Sequence, residues 1–106
     1  MGEMSMKDVS TRMSALELCE CEGVSRQAVV SLVEYEVAFP LAGASVEDWT
    51  FDVDSIHWLR KALRLRRDLE LEWVAVAMVV DLLRTRERLE RDNRQLQRRL
   101  SRLLQE

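Results

Sequence analysis

The sequence predicts a mainly α protein, a winged helix-turn-helix with a small two-stranded wing followed by a long C-terminal coiled-coil helix. Three observations carry that prediction. Two serine-capped apolar segments flank Gly23; an alternating Trp49-Thr50-Phe51-Asp52-Val53 follows the helix breakers Pro40 and Gly43; and leucine recurs every seventh residue at 82, 89, 96 and 103. Residues 1–13 read as a flexible N-terminal arm, 14–71 as the winged helix-turn-helix domain and 72–106 as a coiled-coil dimerisation segment.

Ser14 followed three residues later by Glu17 is a capping-box signature, opening a short helix that turns Ala15, Leu16 and Cys19 inward. Gly23 stops it. Ser25 caps a second helix in which Val29, Leu32 and Val33 recur at helical spacing and Val30 broadens the apolar face. A short helix, a glycine turn and a second helix give the outline of a helix-turn-helix. Val37–Leu41 and Trp49–Val53 read as the two strands of the wing, since the second alternates apolar with polar at period two. Asp52 or Asp54 then caps a helix with Ile56, Leu59, Leu63 and Leu69 inward and Arg60, Arg64 and Arg67 outward, ending near residues 68–71. Neither Gly nor Pro marks that end, so one continuous helix over 54–105 is the alternative.

From Glu72 the apolar residues first run all round the helix, through Trp73, Val74, Val76, Met78, Val79 and Val80, which calls for cover on more than one side. They then narrow to a stripe. With Leu82, Leu89, Leu96 and Leu103 as d positions, the a positions are Val79, Arg86, Asn93 and Leu100. An Asn at one a position is a known way to fix register, so Val79, Leu82, Leu89, Asn93, Leu96, Leu100 and Leu103 are the candidate homodimer seam. Arg86 and Asn93 leave strand orientation open. A helix over 72–105 is about 51 Å long, wider than so small a domain, so its distal part must project or pair.

Composition narrows the function classes. At 106 residues, with 33% charged and 47% apolar, the chain describes one small globular domain plus an extension. Its longest apolar run, Trp73 to Val80, falls far short of the roughly 20 residues of a membrane span. The N-terminus carries no signal-peptide pattern, and a cytoplasmic protein is expected. Cys19 and Cys21, two apart on a helix, point to opposite sides and do not bridge readily. One histidine, three glycines and no phosphate loop offer almost nothing for catalysis, metal or cofactor, so no enzyme and no cofactor are expected. The net charge of −3 hides a gradient: residues 1–40 carry three basic and seven acidic groups, residues 76–106 eight and five. The two ends therefore present opposite surfaces to partners.

The order helix, turn, helix, wing, arginine-rich helix, long helix resembles the MerR superfamily. Four strings are similar to one branch of it, the chaperone-modulator family CbpM: Trp49-Thr50-Phe51-Asp52, the run Ala62 to Trp73 (ALRLRRDLELEW), Ala75-Val76-Ala77, and Asp92 to Leu103 (DNRQLQRRLSRL). These cover roughly residues 49–106, while the first helices match only in pattern; Val74-Ala75 stands where a member of that family would carry Pro-Gly. The resemblance implies a bacterial chaperone modulator that binds the J-domain of a DnaJ-like co-chaperone, CbpA, and keeps it from the Hsp70-type chaperone DnaK. J-domains resemble one another in a basic second helix, which a competitor would meet with carboxylates. Two acidic surfaces are candidates: Glu17, Glu20, Glu22, Glu34 and Glu36 on the helix-turn-helix, and Asp68, Glu70, Glu72 and Asp81 around the start of the long helix. The first is favoured, being less compensated by arginines.

The runner-up is a MerR-like DNA-binding transcriptional regulator. A helix-turn-helix reader needs cationic and amide side chains along its second helix, and here Arg26 and Gln27 stand against Glu34 and Glu36, with Glu17, Glu20 and Glu22 before them. No direct DNA binding is expected of so acidic a face. A third possibility, a bland coiled-coil scaffold, predicts no J-domain partner at all.

Overall fold

A computed structural model describes residues 12–105 in the order β1 (Arg12–Ser14), α1 (Ala15–Glu22), α2 (Arg26–Glu34), β2 (Thr50–Asp52), α3 (Val53–Leu69) and α4 (Trp73–Gln105). The mainly helical, winged helix-turn-helix architecture with a two-stranded sheet and a long last helix is as the sequence predicts. The expected arm falls outside the described residues up to position 11.

Local chemistry sets the helix ends. The Glu17 N–H donates to Ser14 Oγ at 3.0 Å while the Ser14 N–H donates to Glu17 Oε1 at 2.9 Å, closing the capping box. Gly23 ends α1 in the left-handed region (φ 66°), and Ser25 Oγ accepts from the Ala28 N–H to open α2. Of the two candidate caps for α3, Asp52 is the one used, its Oδ1 accepting from the Ser55 N–H at 2.9 Å. The alternative of one helix over 54–105 is overturned by Glu70. Its backbone takes φ 53°, its N–H closes on the Arg66 carbonyl, and residues 70–72 are non-helical before α4 begins.

The wing has a different first strand from the expected one. β2 pairs antiparallel with β1, Met13 opposite Phe51, so Arg12 and Met13 are strand residues rather than the end of an arm. Val37–Leu41 is no strand because its backbone groups are engaged elsewhere. The Val37 N–H returns to the Leu32 carbonyl and closes the end of α2, the Phe39 N–H reaches Ser55 Oγ, and Pro40 has no N–H to give. Within residues 37–42, Leu41 and Ala42 hydrogen-bond to β2, around an isolated bridge between Ala42 and Thr50.

The core joins every element. Ala15 and Leu18 of α1, Val29 and Leu32 of α2, Phe51 of β2, Leu59 and Ala62 of α3, and Val76 and Val80 of α4 are fully buried. Three inward assignments need correction. Leu16 and Cys19 are only half-buried, since Ala15 and Leu18 occupy the core face, and Leu69 is exposed because α3 ends there and leaves the domain surface. The Trp73–Val80 run is covered on one side only: Val76 and Val80 are buried, Val74 and Met78 exposed. From Arg88 to Gln105 every residue of α4 is exposed, so the distal half of this helix projects beyond the domain.

Candidate functional site

The first acidic set divides into engaged and free carboxylates. Glu17 is held by Ser14, whose backbone N–H and hydroxyl lower the Glu17 pKa below the ordinary carboxylate range. Glu22 pairs with Arg60 across the α1–α3 contact at 3.1 Å. Glu20, Glu34 and Glu36 are exposed and make no ion pair among the described residues. Glu34 is the last residue of α2, and Glu36, two residues on, takes φ 62° as the chain reverses. The set thus lies on two elements, with no hydrogen bond or ion pair joining the α1 carboxylates to Glu34 and Glu36 among the described residues.

The second set surrounds the α3–α4 turn and is more compensated. Asp68 lies 3.5 Å from Arg67; Glu70 is the left-handed cap; the Glu72 carbonyl accepts from the Val76 N–H; Asp81 is exposed on α4. Arg66 ties this turn to the domain. Its Nη1 donates to the Leu71 carbonyl at 2.9 Å, and its guanidinium carbon stands 4.1 Å from the centroid of Trp73, a cation–π contact. Trp73 is half-buried against the core, and with Val24, Ala28 and Leu63 it lines a groove of about 460 Å³ beside the helix-turn-helix turn.

The seam residues stand in the open. Val79 is half-buried, while Leu82, Leu89, Leu96, Leu100 and Leu103 are 56–69% exposed and Asn93 is also exposed. Leu82, Leu89 and Asn93 share a shallow groove with Thr85, Arg86 and Glu90. The exposed apolar side chains thus recur along the whole distal half of α4.

Two residues that the sequence reading did not single out hold the second helix to the long one. Trp58 is buried with one face toward Arg84, whose guanidinium lies 5.1 Å from its ring centroid. Arg84 Nη1 donates to the Glu36 carbonyl at 3.3 Å and Nη2 to the Val37 carbonyl. Spacing held the signal for Trp58, which with Ala62 widens the Leu59–Leu63 stripe; for Arg84 there was none, since its partners lie 47 and 48 residues back.

As a nucleic-acid reader the second helix is poorly equipped. Arg26, the basic residue of α2, is 3.2 Å from Glu47, which leaves Gln27 facing outward with Glu34 farther along. Both cysteines are free thiols, and no group of three His, Cys, Asp or Glu side chains among the described residues could hold a metal ion. No helix is long and apolar enough to cross a membrane among the described residues.

Comparison with known proteins adds to this geometry. A family model described as MerR HTH family regulatory protein matches residues 13–98. A chaperone modulatory protein CbpM of Pseudomonas putida is 35% identical over 88 residues, 83% of this chain and 86% of its own length. Its namesake from Citrobacter koseri is 34% identical over 99 residues, 93% and 97% of the two chains, and that of Salmonella paratyphi B is 32% identical over the same shares.

Proposed function

The chain belongs to the MerR HTH family of regulatory proteins and, within it, to the chaperone modulatory protein CbpM family; from that premise we propose that it binds the J-domain of a DnaJ-like co-chaperone, CbpA, and inhibits co-chaperone activity with the Hsp70 chaperone DnaK. The family is one of chaperone modulators by name. The observation that carries the finer reading is a helix-turn-helix whose exposed charge is acidic, with Glu20, Glu34 and Glu36 unpaired among the described residues. Such a face repels phosphate and attracts a basic helix. Inhibition then needs no chemistry: a J-domain helix covered by this protein is unavailable to the chaperone.

The exposed leucine stripe of α4 supports a second part of the proposal, that the active species is a homodimer paired through Val79, Leu82, Leu89, Asn93, Leu96, Leu100 and Leu103. The J-domain reading is tested by titrating the purified J-domain of the host's DnaJ-like protein into this chain by calorimetry. Saturable binding that competes with the Hsp70 chaperone is expected. A J-domain that shows no heat of binding, or one that binds without losing its stimulation of the chaperone's ATPase, would refute it.

A further inference from the structure

From the end of α2 to the start of α3, four large apolar side chains stand in water: Tyr35, Phe39, Leu41 and Val53 are 46, 59, 50 and 58% exposed. Their backbone is firmly held. The Phe39 N–H donates to Ser55 Oγ at 3.4 Å, the Leu41 N–H to the Thr50 carbonyl at 2.7 Å, and Arg84 grips the carbonyls of Glu36 and Val37. Held backbone under exposed apolar side chains lowers the entropy lost on binding. Exposed carboxylates neighbour these side chains along the chain, Glu34 and Glu36 on either side of Tyr35 and Asp54 next to Val53.

A second apolar exposure lies on α4, where Val74, Met78 and Leu82 follow one another at four-residue spacing and run into Leu89 and Leu96. Leu82 joins that exposure to the leucine stripe of α4, which makes Val74 and Met78 the alternative docking face for the test. The wing patch has no such continuation. It is bounded instead by the basic outer face of α3, where Val53 and Ile56 share a groove with His57, Arg60, Lys61 and Arg64. Those cations fix an orientation, because a partner's basic residues must lie toward Glu34 and Glu36, away from α3.

We propose that the wing patch is where an amphipathic basic helix docks, with its apolar side chains over Phe39 and Leu41 and its cations toward Glu34 and Glu36. This rests on the J-domain reading and narrows it. Glu17 and Glu22, engaged with Ser14 and Arg60, are not part of the contact. Aromatic anchors at the centre of a contact govern dissociation, and the flanking charges govern encounter.

The test measures affinity of the full chain for the purified J-domain of the host's DnaJ-like protein across a range of salt. Changing Phe39→Asn and Leu41→Asn together is expected to weaken binding more than tenfold with unchanged circular dichroism. Glu34→Lys with Glu36→Lys is expected to weaken it by a similar factor, with a flattened or reversed salt dependence. Val74→Asn with Met78→Asn should leave it within about twofold. Wild-type affinity in either wing variant overturns the inference, as does an equal loss in the α4 variant. Should the apolar variant unfold, the charge variant decides. A wild-type chain that fails to bind the J-domain overturns the parent reading and this site with it.

Discussion

Glu17 shows how one carboxylate serves the fold. Because hydrogen bonds from Ser14 favour its charged form, its pKa in the folded chain lies below the unfolded value. Its contribution to stability is therefore fully present above the unfolded pKa and is lost as pH falls through the folded one. A side-chain NMR titration should give Glu17 a lower midpoint in the wild-type chain than in Ser14→Ala, and that substitution should destabilise the domain by about 1 kcal/mol. The two thiols separate in the same manner. Burial pushes the Cys19 thiol pKa up, against a smaller pull from Arg26, and Cys21 is exposed, so a thiol reagent near neutral pH should label Cys21 first. If Cys19 reacts as fast, the burial is wrong. Glu36 carries a different tension, since a left-handed backbone suits glycine. Glu36→Gly is expected to stabilise the domain by about 1 kcal/mol in a denaturant titration and, by removing a carboxylate from the proposed docking patch, to lower J-domain affinity. A variant that loses stability would show that the Glu36 side chain does more for the fold than its strained backbone costs.

At the scale of elements, what the sequence revealed was what short range decides. The capping box at Ser14, the glycine stop at residue 23 and the leucine period of α4 each depend on residues within a turn or two, so pattern alone locates them. The wing was half legible for the same reason. Trp49–Val53 alternates and Thr50–Asp52 is a strand, but strand choice is non-local: Val37–Leu41 had comparable β character, and its backbone groups were already taken by α2 and Ser55. The end of α3 was hidden because a glutamate, not a glycine, adopts the left-handed cap. Among the candidate residues, spacing picked out the leucines of α4, while the exposure of Phe39 and Leu41 needed the structure. Arg84 joins α4 to the end of α2 by two carbonyl contacts and by the face of Trp58. Its replacement by methionine keeps the packing stem and removes the charge-assisted bonds. We expect it to cost about 2 kcal/mol and to increase hydrogen exchange at residues 35–38; exchange unchanged there would mean Arg84 is an ornament of the surface.

For the whole molecule the governing fact is that α4 outruns the domain it starts from. Thirty-three residues make a helix about 50 Å long, its exposed leucines on one stripe and arginines running from residue 84 to residue 102. Leu89→Asp with Leu96→Asp buries a carboxylate at two seam layers, each costing several kcal/mol, and should convert a dimer to monomers in light scattering without unfolding the domain. The residues flanking the seam bear on the orientation that Arg86 and Asn93 leave open. A parallel, in-register pair stacks Arg86 on its own copy at an a position and sets Asp92 against Gln97 and Arg99 against Leu104, with no charge complementarity along the flanks. Running antiparallel with Leu89 opposite Leu100, the same helix sets Asn93 against Leu96, moves each Arg86 to the end of the seam opposite Leu103, and brings Asp92 beside Arg99 and Leu83 beside Leu104 on both flanks. Like charges in the seam are removed and opposite charges are paired, at the loss of the Val79 and Leu82 layers, so we expect the antiparallel arrangement, with a seam over residues 86–103, to win. In a background with Cys19 and Cys21 changed to Ser, mixing a Leu89→Cys chain with a Leu100→Cys chain should give a mixed disulfide under mild oxidation, and Leu89→Cys alone should remain reduced. The reverse result, Leu89→Cys bridging to itself, would establish the parallel pair. It would also place both wing patches at the same end of the rod; the antiparallel pair would set them at opposite ends, so calorimetry is expected to give two independent J-domain sites per dimer.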